Sequence, residues 1–157
     1  MPSEWPADWE ELKPGKSCPM CASGRPAETE YGIRVREAPH SDAYLQKKGK
    51  VRGYCVVIWR GRHVAEPFEL SADESAGYWH DVLAVAKALE DEYRPYKINI
   101  EMLGNTTPHL HTHVRPRHRQ DPNPFGPLAH DGEYTTFPED QLRADAAALQ
   151  ARLAQQQ

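Results

Sequence analysis

Residues 109–114 have the sequence HLHTHV, and this stretch determines how the rest of the chain is interpreted. Side chains alternate between the two faces of a strand, so histidines at every second position project from the same face. Leu110 and Val114 then point the opposite way, toward a hydrophobic core. The stretch therefore predicts a strand that presents three imidazoles, those of His109, His111 and His113, on one surface.

The segments around this strand predict an α+β domain. Alternating or continuous apolar patterns indicate strands near residues 31–36, 43–45, 54–59 and 97–102, with a basic, glycine-containing turn at 46–53. Ser71 and Glu74 have capping-box spacing, which predicts a long helix that ends before Pro95, and Pro138 opens a second helix. The proline-rich segment 116–127 is expected to be irregular. Strands that do not alternate with crossover helices favour a five-stranded antiparallel sheet.

Length and charge limit the classes of function. A chain of 157 residues fits one domain. A formal net charge of −4 argues against binding to many phosphates of a nucleic-acid backbone. No apolar stretch is long enough to cross a membrane, and the acidic, proline-containing start does not resemble a secretory signal. We therefore expect a cytoplasmic protein that binds neither membranes nor extended nucleic acid, although a small phosphate-bearing ligand remains compatible with this charge.

Three closely spaced histidines allow two kinds of chemistry. A neutral imidazole can attack phosphorus, and a neighbouring imidazole can donate to phosphoryl oxygens or to a leaving group. The same side chains could instead bind a catalytic metal ion, usually together with a carboxylate. The histidine row alone leaves both possibilities open.

The chain has three cysteines, two of which, Cys18 and Cys21, have the spacing of a metal-binding pair. Together with two imidazoles they would complete a closed tetrahedral zinc site, and His63 follows the predicted strand at 54–59. A redox pair is the alternative, but no helix of a thioredoxin-like unit is evident after Cys18. Cys55 lies within an apolar strand, which favours a core position.

Residues 103–117, LGNTTPHLHTHVRPR, resemble the signature of histidine-triad nucleotide hydrolases and transferases. The resemblance extends over about residues 18–127. It implies that His111 is the nucleophile, which forms a transient nucleotidyl-histidine at an α-phosphorus, and that His113 contacts the phosphate. It also implies a structural zinc ion held by the four side chains of Cys18, Cys21, His63 and His109.

The same resemblance implies further contacts with the substrate. Asn105 and Thr106 correspond to residues that hold phosphate oxygens, and Asn99 is the candidate for a polar contact from the preceding strand. A homodimer and a domain at 18–137, between an N-terminal arm (1–17) and a C-terminal helix (138–157), are expected. The sequence does not rank dinucleoside polyphosphates against nucleoside phosphoramidates, aminoacyl-adenylates or sugar nucleotides.

Two departures from the family pattern affect these expectations. Gly53-Tyr54 stands where the family often has Gly-His, and Arg115 stands where many members have an apolar residue. We expect Arg115, Arg117 and Arg119 either to add charge near a polyphosphate tail or to be solvated. The alternatives to a histidine-nucleophile enzyme are a metallohydrolase with the histidines as ligands and a nucleotide-binding module without catalysis.

Overall fold

Five strands form one antiparallel sheet in the computed structural model, which describes residues 4–130 and 132–156. The sheet has the order β1-β2-β4-β6-β5, with β1 at Gly32–Glu37, β2 at Ser41–Gln46, β4 at Cys55–Trp59, β5 at Lys97–Glu101 and β6 at His111–Arg117. Two short strands, β3 (Lys48–Gly49) and β7 (Thr135–Thr136), pair with each other outside this sheet. The predicted α+β class and the five-stranded sheet are confirmed.

In the part of the chain that the structure describes, four α-helices accompany the sheet, α1 at Trp9–Leu12, α2 at Pro19–Ala22, α3 at Ala72–Tyr93 and α4 at Glu139–Ala154, together with a 3-10 helix at Pro67–Glu69. Only α3 and α4 are longer than one turn. Within the described residues, no helix is long and apolar enough to cross a membrane.

The long helix α3 covers one face of the sheet. Val82 and Val85 of α3 are fully buried in the core. The Tyr78 hydroxyl is 3.1 Å from the Val57 carbonyl oxygen of β4 and 2.7 Å from the Thr112 hydroxyl of β6. Because Thr112 points toward α3, its neighbours His111 and His113 must point to the opposite face. The packing of α3 therefore leaves the other face of β6 available for the histidines.

The C-terminal helix α4 joins the same core. Leu142, Leu149 and Leu153 are buried against β1 and α3, and the Gln150 side-chain amide donates to the Arg34 carbonyl oxygen. Burial of these leucines stabilises the attachment of α4 by removing apolar surface from water.

Two predictions of local structure were wrong. Pro116 and Arg117 are part of β6 rather than of an irregular segment, and β6 begins at His111, two residues after His109. The pairing with β4 ends at Val114, so β6 continues beside β5 alone, as at a sheet edge, where a proline is tolerated. Trp9–Leu12 forms a helical turn within the N-terminal arm.

The capping box at the start of α3 is confirmed. The Ser71 hydroxyl accepts from the Glu74 amide at 3.2 Å, and the Glu74 carboxylate accepts from the Ser71 amide at 2.8 Å. Two backbone donors at the helix start, which have no partner within the helix, are thereby satisfied.

We expect Ser71→Ala to lower the free energy of unfolding by about 1 kcal/mol, because one of these amides loses its acceptor. Ser75→Ala, which removes the same hydroxyl from an exposed position inside α3, is the matched control and should change stability by less than about 0.5 kcal/mol. Urea unfolding followed by circular dichroism measures both. Equal effects of the two substitutions would contradict a capping role.

Candidate functional site

His111 is buried at the start of β6 with its ring orientation fixed by the backbone. Its Nδ1 lies 2.6 Å from the carbonyl oxygen of His109, which can only accept a hydrogen bond. The proton of neutral His111 is therefore on Nδ1, and Nε2 carries a free lone pair. Burial lowers the pKa of His111, so the ring is kept in the neutral form that a nucleophile requires.

His113 lies next to His111 on the same face of β6, with ring centroids 4.9 Å apart. Burial, reinforced by the charges of His111, Arg115 and His130, lowers the pKa of His113 to about 3. His113 is therefore neutral at physiological pH, and a neutral imidazole offers one hydrogen-bond donor rather than a positive charge.

Both histidines open into a cavity of about 580 Å³, which is within the size range of small-molecule sites. Its other lining residues come mainly from α2, the segment before β1, and strands β2 and β4: Pro19, Met20, Ser23, Thr29, Glu30, Tyr31, Tyr44, Gln46, Tyr54, Val56, Ile58, Arg60 and Thr107. Several of these side chains are aromatic or aliphatic. The cavity thus combines aromatic and aliphatic side chains with two imidazoles.

A second group of side chains forms a candidate metal centre beside His111. The sulfur atoms of Cys18 and Cys21 and one ring nitrogen each of His63 and His109 all lie within 4.8 Å of one another. His109 Nδ1 is 3.4 Å from Cys18 Sγ, and His63 Nδ1 is 3.4 Å from Cys21 Sγ. Among the described residues, neither His111 nor His113 belongs to this cluster. The four predicted metal ligands are therefore brought together, and the two predicted catalytic histidines are kept apart from them.

The geometry of the cluster fits a tetrahedral ion. Bonds of about 2.3 Å to sulfur and about 2.0 Å to nitrogen separate neighbouring ligand atoms by roughly 3.3–3.8 Å. The observed nitrogen–sulfur distances of 3.4–3.5 Å agree with this spacing. Two thiols and two imidazoles therefore could hold a metal ion without a large movement.

Backbone carbonyl groups orient both imidazoles of this cluster. His109 Nε2 is 2.7 Å from the Trp59 carbonyl oxygen, and His63 Nε2 is 3.0 Å from the Lys13 carbonyl oxygen. Each ring therefore donates from Nε2 and directs the Nδ1 lone pair at the cysteines, which is the usual outer-shell support of a metal ligand. The Lys13 contact also gives the N-terminal arm a structural role that the sequence did not indicate.

The cysteine pair does not have the properties of a redox site. A helix, α2, does follow Cys18, contrary to the sequence-based expectation, but it is only four residues long. Burial and the neighbouring Cys18 raise the pKa of Cys21 to about 11, whereas a redox-active thiol has a lowered pKa. Cys55 is fully buried, which confirms its predicted core position.

Of the other predicted substrate contacts, Asn99 does not reach the cavity. It lies on the histidine face of the sheet, but it pairs with Arg115 in the register, and its Oδ1 accepts from Arg117 Nη1 at 2.7 Å. There it lines a separate cavity of about 690 Å³ at the β5 edge, which no triad histidine lines. The structure thus separates Asn99 from the cavity at His111, and a contact between Asn99 and the substrate stays a prediction.

The turn before β6 places one unpredicted residue in the cavity. Asn105 and Thr106 are exposed on this turn and line none of the cavities described above, whereas Thr107 lines the cavity together with His111. Thr107 lies within the signature stretch, but the phosphate contacts were predicted for Asn105 and Thr106 instead.

Arg115 and Arg117 are buried and hydrogen-bonded, contrary to the expectation that they are solvated, whereas Arg119 is exposed. Arg117 donates to the carbonyl oxygens of Gly126, Pro122 and Asn123, and so fastens the loop after β6. Arg115 lies near the Glu101 carboxylate and the ring of His130.

His130 is a further residue of this region that the sequence did not single out. Its ring lies 5.8 Å from that of His113, and its Nε2 is 2.9 Å from a Glu101 carboxylate oxygen. His130 follows the loop that Arg117 holds through its hydrogen bonds to three carbonyl oxygens.

The lowered pKa of His113 has a consequence for stability. Its folded-state pKa of about 3 lies below the ordinary value of 6.5, so the unfolded chain binds an extra proton as pH falls below 6.5, and stability is lost in that window. Relative to His113→Asn, the wild type should lose about 1.5 kcal/mol of unfolding free energy between pH 6.5 and pH 5. Urea titrations at both pH values measure this. Above pH 8 the difference in unfolding free energy between the two proteins should be constant. If both proteins instead lost the same unfolding free energy between pH 6.5 and pH 5, His113 would not be a neutral, buried ring.

Comparison with known proteins identifies the family. The HIT domain model matches residues 29–120. "Protein hit" of Bacillus subtilis (strain 168) is 29% identical over 128 residues, which cover 77% of this chain and 85% of that protein. The crystal structure of a histidine triad protein from Sinorhizobium meliloti 1021 is similar, with a TM-score of 0.71 and 28% identity over 77% of this chain and 89% of that one. A Zn-bound histidine triad family protein from Mycobacterium smegmatis has a TM-score of 0.63 and 23% identity, over 89% of this chain and 95% of that one. The chain therefore belongs to the HIT domain family.

Proposed function

We propose that this protein is a nucleotide hydrolase or nucleotidyl transferase in which His111 attacks an α-phosphorus and forms a covalent nucleotidyl-histidine. One observation carries the proposal: His111 is a neutral, buried imidazole whose Nδ1 proton is held by a carbonyl group, and its ring lines a substrate-sized cavity. Membership of the HIT domain family, which implies nucleotide binding or transfer, supports the substrate class.

The proposed reaction has two displacements at phosphorus. In the first, the Nε2 lone pair of His111 forms a bond to the α-phosphorus, and the bond to the leaving group breaks with its electron pair. The positive charge that develops on the imidazole is stabilised by the Nδ1–H donated to the His109 carbonyl group. In the second, water attacks the phosphorus, the N–P bond breaks, and His111 regains its lone pair as nucleoside monophosphate forms.

The neighbouring groups are proposed to stabilise the transition state. His113 donates to a phosphoryl oxygen, and the turn residues Asn105, Thr106 and Thr107 provide further polar groups near the start of β6. The aromatic and aliphatic walls of the cavity would hold the base and ribose.

We further propose that the four-ligand cluster binds zinc. Two sulfur and two nitrogen donors within 4.8 Å of one another suit this ion, and the HIT relative from Mycobacterium smegmatis is described as Zn-bound. With four protein ligands the site is closed, so the ion supplies structural stability and no open position for water. Its ligand His109 carries the carbonyl group that orients His111. A homodimer and a cytoplasmic location are also proposed from the family resemblance.

A fluorogenic adenosine phosphoramidate and a dinucleoside polyphosphate test the proposal. We expect release of adenosine monophosphate from at least one of them, and the first turnover in ¹⁸O-labelled water should place one label in the monophosphate. A metallohydrolase would instead lose all turnover on removal of the metal while its fold persisted. Nucleotide binding without any release of monophosphate would identify a binding module and contradict the enzyme proposal.

A further inference from the structure

Tyr54 contacts the third histidine of the triad from the neighbouring strand. It directly precedes β4, and its hydroxyl oxygen is 2.7 Å from His113 Nδ1. The two rings are stacked, with centroids 5.9 Å apart and an interplanar angle of 28°. The contact joins residues 59 positions apart in the chain, so it depends on the register in which Val56 of β4 pairs with His113.

The chemistry around Tyr54 favours one direction for this hydrogen bond, in which the phenol donates. Burial raises the pKa of Tyr54, so the phenol keeps its proton at neutral pH. The guanidinium group of Arg115, centred 4.6 Å from the Tyr54 ring centroid, has only donors and cannot accept that proton. His113 Nδ1 is an acceptor within reach, and a half-buried hydroxyl proton left without an acceptor would be costly. A phenol that donates to Nδ1 satisfies both groups.

We propose that Tyr54 is a positioning residue that holds His113 in the tautomer with its proton on Nε2. The two neighbouring imidazoles then have opposite tautomers. His111 presents a lone pair on Nε2 because the His109 carbonyl group holds its Nδ1 proton, and His113 presents a proton on Nε2 because Tyr54 occupies its Nδ1. One ring is prepared to attack phosphorus and the other to donate to a phosphoryl oxygen, and in this respect the inference rests on the proposed function.

A charged group behind Tyr54 keeps it in place. Arg115 is almost fully buried, and its Nη1 lies 3.4 Å from both Glu101 carboxylate oxygens. Glu101 also binds His130 Nε2 at 2.9 Å. Because Glu101 compensates the Arg115 charge, the guanidinium can lie against the Tyr54 ring in a buried position.

The tautomer is measured directly by ¹⁵N NMR of the histidine side chains in the free, metal-loaded protein, with His113→Gln to assign the signals. In the wild type we expect His113 to carry its proton on Nε2 and His111 on Nδ1. Tyr54→Phe removes only the hydroxyl and should give His113 a mixture of tautomers. Tyr93→Phe, the same change on α3 away from the cavity, is the matched control and should leave the His113 signals unchanged.

Kinetics with the phosphoramidate substrate give the second readout. We expect Tyr54→Phe to lower kcat by roughly 10²-fold with KM within about twofold, because the donor is needed most as charge develops on the phosphoryl oxygens. A wild-type His113 with its proton on Nδ1 would overturn the inference without need of any variant. So would a Tyr54→Phe protein that lost activity while the His113 tautomer was unchanged. If the tautomers are as expected but the wild type has no turnover, the positioning by Tyr54 is supported and the proposed function alone fails.

Discussion

His111→Ala should lower turnover of a nucleoside phosphoramidate by at least about 10⁴-fold, the scale on which loss of a covalent nucleophile acts in other enzymes. The expected loss is this large because no other described imidazole combines a free Nε2 lone pair with a place in the cavity: His113 has its Nδ1 beside the Tyr54 hydroxyl, and His109 directs Nδ1 at the cysteines. The measurement is single-turnover release of adenosine monophosphate.

Two further variants make this result specific. His111→Gln keeps a polar side chain of similar length in the buried position, and it should be as inactive as His111→Ala while it unfolds at nearly the wild-type temperature. His80→Ala removes an exposed histidine of α3 and should have wild-type activity. Both His111 variants should retain bound metal, since His111 is not part of the cluster. Loss of metal together with activity would instead make His111 a metal ligand.

The alternation of residues 109–114 predicted the shared face correctly for His111 and His113, but not for His109, which precedes β6 and directs its ring at the cysteines. His111 and His113 do project together, and Thr112 points at α3. The alternation could not predict which residue of a neighbouring strand lies beside a given histidine, because that depends on the register of the two strands. Asn99 shows the consequence: it is on the correct face, but its register partner is Arg115 rather than one of the triad histidines.

The contacts from the loop after β6 were not predictable for a different reason. His130 reaches His113 only because Arg117 donates to three carbonyl groups of an irregular, proline-rich loop. Such loops have no periodicity in sequence, so neither their path nor the partner of a basic residue can be inferred from spacing. Arg115 and Arg117 were therefore expected at a polyphosphate tail or in solvent, whereas both are buried.

The four candidate metal ligands, by contrast, were predicted together from sequence although they lie up to 91 residues apart. The spacing of Cys18 and Cys21 is itself a local signal, and the resemblance to the histidine-triad family implied the two histidines. The sequence did not indicate that the ring orientations would come from the backbone of Trp59 and Lys13, because any residue type can supply a carbonyl group.

The candidate metal centre and the candidate nucleophile are mechanically linked through one residue. His109 directs Nδ1 at the cysteines, donates from Nε2 to Trp59, and accepts through its carbonyl oxygen from His111. A metal ion that fixes the His109 ring therefore also fixes the acceptor that sets the His111 tautomer. Loss of the ion should reduce activity indirectly, by disorder of His109, without removal of the nucleophile.

Cys18→Ser should abolish stoichiometric metal binding and lower Tm by about 10 °C. Metal binding to a preformed site contributes directly to folding, and a loss of roughly 4 kcal/mol corresponds to such a shift in a domain of this size. Cys55→Ala is the matched control: it removes a thiol from the core and costs some stability, but elemental analysis should still find one metal ion per chain. Below its lowered Tm, Cys18→Ser should retain measurable turnover, unlike His111→Ala. Full activity and unchanged Tm after complete metal loss would contradict both the structural role of the ion and its link through His109 to the nucleophile.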